Sequence, residues 1–70
     1  MRKEYLVKNV TMVRMVNFLT EAFGKKKSGQ PFTIWDAQGY CRRGYLPKYL
    51  GGNTIQQHER SGVNFYSIIK

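Results

Sequence analysis

The stretch "TIWDAQGYCRRGYLPKYLGG", residues 33–52, decides how this chain folds. Thr33 followed three residues later by Asp36 is a capping-box pattern. The hydroxyl accepts from a first-turn amide, and the carboxylate reaches back to the backbone N–H of Thr33. A helix is therefore predicted to start here. Ile34, Ala37, Tyr40 and Cys41 share one face of it at steps of three and four. Gly44 ends it, so the run from Asp36 to Gly44 has room for one helix only. "LPKYLGG" (46–52) holds one short further turn, with Pro47 suited to its first position and Gly51 or Gly52 to its end. Gly39 falls inside the first of these helices, where glycine costs about 1 kcal/mol relative to alanine. That cost makes sense where another backbone packs close. Trp35, in the first turn, is expected in the core; an exposed Trp35 would instead mark a protein-binding hot spot.

Upstream, "VTMVRMVNFLTEAF" (10–23) reads as an amphipathic helix. Val10, Val13, Val16, Leu19 and Phe23 recur at steps of three or four, and Met12 and Met15 widen the stripe. Arg14, Asn17 and Glu21 fall opposite. Asn9 is the expected N-cap and Gly24 the stop. Valine is a mediocre helix former, so packing must hold this helix. "GKKKSGQ" (24–30) is a loop, since three adjacent lysines cannot be buried. Downstream, "NTIQQHERSGVNFYSIIK" (53–70) reads as a hairpin turning at Ser61-Gly62. "VNFYSII" is rich in strand formers. This register sets Ile55 opposite Ile68 and Gln57 opposite Tyr66.

The order of helix, basic loop, capped helix, turn, short helix and C-terminal hairpin is that of a winged helix-turn-helix domain. The segment "FTIWDAQGYCRRGYLPKYLGGNTI" (32–55) resembles the compact binders of the excisionase and MerR type. The positions that carry the resemblance are Asp36 and Ala37, then Gly44, Leu46 and Pro47, then Gly51 and Gly52. It extends over residues 32–69. It implies an α+β fold: a small winged-helix domain with two to three helices and a C-terminal β-hairpin. This chain departs from that pattern in lacking space for a separate turn and recognition helix before the Leu-Pro step. The reading element is then either the short "PKYL" segment or the helix end at Arg42 and Arg43. The long N-terminal helix also lies outside the pattern.

Charge bounds the partner. Twelve Lys and Arg against four Asp and Glu give a formal net charge of +8 in 70 residues. An excess of this size favours a polyanion: nucleic acid first, then an anionic membrane or an acidic protein. Seventy residues make one domain, residues 1–70, with a modest core. A single cysteine, Cys41, allows no internal disulfide and fits a reducing, cytoplasmic setting. No apolar run approaches the roughly 20 residues of a membrane span. No long apolar segment marks a secretory signal.

The candidate contacts to double-stranded DNA follow from residue type and placement. Lys25, Lys26 and Lys27 form a concentrated positive loop. Arg42 and Arg43 offer planar donor forks suited to phosphate and guanine edges. Lys48 and Tyr49 adjoin them, and tyrosine hydroxyls commonly bond phosphate. Gln56, His58 and Arg60 line one face of the hairpin, with Arg60 at its tip. Catalysis finds no support: Glu4, Glu21, Asp36 and Glu59 are scattered, and His58 has no orienting partner. Cys41 sits on the inner face, where a thiol is inert. No cofactor, metal or small-molecule ligand is expected. Size and charge suggest a phage or mobile-element protein that regulates transcription or recombination. Two alternatives stand beside this. One is a protein–protein module that modulates a host nucleic-acid-binding protein, or a homodimer, through residues 10–23. The other is an RNA or single-strand binder using Tyr45, Tyr49 and Phe65 as stacking platforms.

Overall fold

A computed structural model describes residues 4–70. The chain runs β1 (Tyr5–Val10), α1 (Met12–Phe23), α2 (Ile34–Arg43), a single 3-10 turn (Lys48–Leu50), β2 (Thr54–Arg60) and β3 (Val63–Ile69). The fold is α+β: two helices against a three-stranded antiparallel sheet of order β1-β3-β2.

The hairpin follows the sequence closely. Ile55 pairs with Ile68 and Gln57 with Tyr66, and Ser61 and Gly62 make the turn at positive φ. β1 extends this pairing on the far side of β3. Val7, Ile68 and Ile55 form one row across the sheet; Val10, Tyr66 and Gln57 form the next. These rows face the helices. Ile55, Tyr66 and Ile68 join Met15, Leu19, Ala37, Cys41 and the loop residue Phe32 in one core.

The N-terminal strand corrects the expected start of α1. Val10 belongs to β1, and the helix starts at Met12. Asn9 is not the N-cap; Thr11 holds that position and makes no side-chain bond there. Asn9 lies inside β1 at φ 53, where the register with β3 shifts. A bulge needs a residue that tolerates left-handed backbone, and asparagine does so better than most. Its N–H donates to the Ser67 hydroxyl at 2.9 Å, which anchors the irregularity. The core stripe of α1 also shifts. Met15 and Leu19 are buried, while Val13 is 62% exposed.

α2 forms as its ends dictate. The Thr33 hydroxyl accepts from the Asp36 N–H at 3.3 Å, and Asp36 accepts from the Thr33 N–H at 2.8 Å. Gly44 closes the helix at φ 85 and donates to the Tyr40 carbonyl. Two further expectations fail here, at Trp35 and at Gly39, while Ile34 shares the face of Ala37 and Cys41. Trp35 is not in the core but 76% exposed. Ile34 lies at the edge of the buried face, 37% exposed. No backbone approaches Gly39: a Cβ built there meets nothing within 4 Å.

Residues 45–53 return the chain to the sheet. The Leu46 N–H donates to Asn53, and the Ile55 N–H donates to Gly44, each at 2.8 Å. Leu46 and Leu50 plug into the core. The segment is thus a core-anchored turn with three residues of helix.

Candidate nucleic-acid interface

At 100° per residue, burying Ala37 and Cys41 turns Trp35, Gln38, Gly39 and Arg42 outward. Trp35, Gln38 and Arg42 follow each other at i, i+3 and i+7, and all three are exposed. Arg43 is exposed on the flank. Both arginines sit in the last turn, where the helix dipole favours cations. Gly39 lies in the middle of this stripe. It has no positive φ and no close neighbour to explain it, so nothing among the described residues offsets its cost.

The stripe borders a cleft of about 330 Å³ between α2 and β2. Met12, Cys41 and Tyr66 form its floor, and Gln38, Arg42 and Gln57 its rim. Two carboxamides and a guanidinium therefore converge from two different elements. The Cys41 thiol beneath them is pushed up to about 11 by burial and stays protonated at neutral pH.

The structure sorts the sequence candidates into separate groups. Lys26 is engaged internally: its ammonium lies 3.1 Å from Asp36, tying the 24–33 loop to the start of α2. Burial raises the Asp36 carboxyl, but hydrogen bonds from the Thr33 N–H and hydroxyl and from Lys26, with the Lys26 charge, outweigh it. The carboxyl sits below its ordinary value. Lys25 and Lys27 stay exposed on either side. Lys48 and Tyr49 lie on the 3-10 turn, and the Tyr49 hydroxyl shares a hydrogen bond of 3.3 Å with Tyr40. Burial, then that bond, hold the Tyr40 phenol protonated well above the usual tyrosine range.

Gln56, His58 and Arg60 share a face of β2, as expected, and all are exposed. That face is the one turned away from the helices, because Ile55 and Gln57 point toward them. The arginines of α2 and this trio are therefore not one surface. The residues that join Arg42 are Trp35, Gln38 and Gln57. Their spacing was available in the sequence; the core expectation for Trp35 hid it.

No helix among the described residues is long and apolar enough to cross a membrane. Comparison with known protein families, curated proteins and solved structures finds no match for this chain.

Proposed function

We propose that this chain is a small winged-helix-type protein that binds double-stranded DNA through the outer stripe of α2, in the service of transcription or recombination control. The observation that carries the reading is the stripe itself. A capped, rigid helix turns Trp35, Gln38, Arg42 and Arg43 to solvent around a glycine with no internal role among the described residues. From Trp35 to Arg42 the stripe runs about 10 Å along the axis at about 1.5 Å per residue, and a helix about 10–12 Å across is what a major groove about 12 Å wide admits. Glutamine and arginine are the side chains that pair bidentately with adenine and guanine edges. The 3-10 turn at Lys48–Leu50 is too short to act as a reading helix, so α2 takes that role. Lys25, Lys27 and Lys48 supply phosphate contacts alongside.

The test is a titration with random-sequence duplex DNA, read by amide shifts and by affinity against salt. About six phosphate contacts give a log–log slope near −5, at about −0.9 per contact. The double variant Lys25→Ala/Lys27→Ala should flatten that slope by about two contacts' worth, and Arg42→Ala/Arg43→Ala should weaken duplex binding by the loss of base-edge contacts. Shifts should centre on residues 35–43 and 57. Absence of duplex affinity, or an affinity indifferent to salt, would sink the reading.

A second reading rests on Trp35. A tryptophan 76% exposed beside arginines is also the composition of a protein-binding hot spot. One stoichiometric protein partner, lost in Trp35→Ala, with no nucleic-acid retention would select it. The α1 stripe contributes less to such an interface than its sequence promises. Met15 and Leu19 are spent on the core, which leaves Val13 as the large apolar side chain of this helix in water.

A further inference from the structure

The helices pack on the face of the sheet that carries Val7, Ile55, Tyr66 and Ile68; on the opposite face Ser67 is buried beside the Asn9 bulge, and the positions on either side of it are more open. A water-facing sheet side ordinarily reads polar. β3 breaks that habit by placing Val63 and the half-buried Phe65 and Ile69 on this side, with Tyr5 of β1 beside Ile69. Val63 is 47% exposed and Tyr5 38%. His58, the cross-strand partner of Phe65, stacks on it with ring centroids 6.0 Å apart and planes 28° apart. Lys8 holds its ammonium 5.0 Å from the Tyr5 ring centroid. Tyr5 pairs with Ile69, four residues along β3 from Phe65. The two aromatic platforms are thus offset by about 13 Å along the strands at about 3.3 Å per residue, and β3 separates Tyr5 from His58 across the sheet. Exposed Gln56 lies between them, opposite Ser67.

The charges on the outward alternation are basic, and the one carboxylate next to Tyr5, that of Glu4, is 4.0 Å from the Lys70 ammonium. Lys8 stands at one and Arg60 near the other, while Glu59 falls on the helix-side alternation with Asn64. We infer that this outer face is a second nucleic-acid surface and that its occupant is a single strand. One base stacks on Tyr5 and another on the His58–Phe65 pair. Gln56 meets a base edge between them, and Lys8 and Arg60 hold phosphates. Charge selects this occupant. A second copy of the chain would set Lys8 and Arg60 against like charges on a molecule of net charge +8. A duplex would satisfy the cations but keeps its base faces inside the stack, leaving the rings without partners. A single strand supplies phosphates and open base faces together. This surface does not depend on the α2 stripe.

The experiment measures binding of a labelled twelve-nucleotide oligothymidine and, separately, of a random duplex. Tyr5→Ala and His58→Ala are both substitutions of exposed side chains. Each should weaken the oligothymidine by roughly five- to a hundred-fold, the range of base–aromatic stacking, and Tyr5→Ala should leave duplex affinity unchanged. Arg42→Ala/Arg43→Ala should do the reverse. Amide shifts on the unmodified protein, at residues 5, 56, 58 and 65 with oligothymidine, give the same answer without any variant. The inference is overturned if both aromatic variants bind oligothymidine as the parent does, or if its shifts map to α2. It is equally overturned if these variants instead dissolve a dimer or abolish binding to phosphatidylserine vesicles with single-strand affinity intact. Loss of duplex binding alone would overturn only the α2 reading.

Discussion

The two helices pack side by side but are stabilised by opposite means. α1 has no side-chain cap, no acid in its first turn and no base in its last. What holds it is burial, with Met15 and Leu19 in the centre of the core. α2 buries only the small residues Ala37 and Cys41. Its ends hold it instead: a reciprocal Thr33–Asp36 box, a left-handed Gly44 and two terminal arginines on the favourable end of the dipole. A helix fixed by its ends keeps a broad face free for a partner. A helix fixed by its stripe does not. This is why the longer, more apolar helix is scaffold and the shorter one carries the candidate contacts.

Leu19→Ala should have the largest effect, because it attacks α1 where all its support lies. Truncating a fully buried leucine costs about 2–5 kcal/mol, a large part of what so small a domain has. Urea melts should show the midpoint collapse or the transition vanish. A cost below about 1 kcal/mol would break the contrast between the helices.

Thr33→Ala comes next, since it removes one half of the box on α2. The expected loss is about 1 kcal/mol, typical of a helix cap. The other half titrates. The Asp36 carboxyl is lower in the fold than in the unfolded chain, so its contribution is complete above the unfolded value. It is lost as pH falls through the folded one. Melting temperature in the parent should therefore drop more steeply with acid than in Asp36→Asn, and the two curves should converge at low pH. Parallel curves would show that the carboxylate does not support α2.

Elements whose signal is local were legible from residues alone. The box at Thr33 and Asp36, the stop at Gly44 and the Ser61-Gly62 turn with its register all stand as read. What escaped depended on partners distant in sequence. β1 is a strand only because β3 offers an edge 58 residues away, where Asn9 meets Ser67. Once Val10 belonged to that strand, the stripe of α1 rotated toward Met15 and Leu19, and Val13 turned outward. Trp35 was misread for a related reason. Composition argues that a lone tryptophan is buried, and only the placement of Ala37 and Cys41 against the sheet shows that it faces out. The same placement parts Gln57 from Gln56, His58 and Arg60, a division that adjacent positions on one strand conceal until the covered face is known.

Gly39→Ala should have the smallest effect on folding and the most telling sign. The residue is helical, has no positive φ and has open space where a methyl group would go. Alanine there should stabilise the protein by about 0.5–1 kcal/mol, since it relieves glycine's entropic cost without a clash. The parent protein thus forgoes stability at the centre of its exposed stripe. Under the proposed function, a partner backbone or base edge approaching the helix surface at this point would account for that. The same substitution should therefore raise the urea midpoint and weaken duplex binding, and Gly39→Leu should weaken binding further while remaining folded. If alanine raises stability and binding is untouched, the glycine serves no contact. The contrast between a scaffold helix and a contact helix would then rest on Trp35, Gln38 and Arg42 alone.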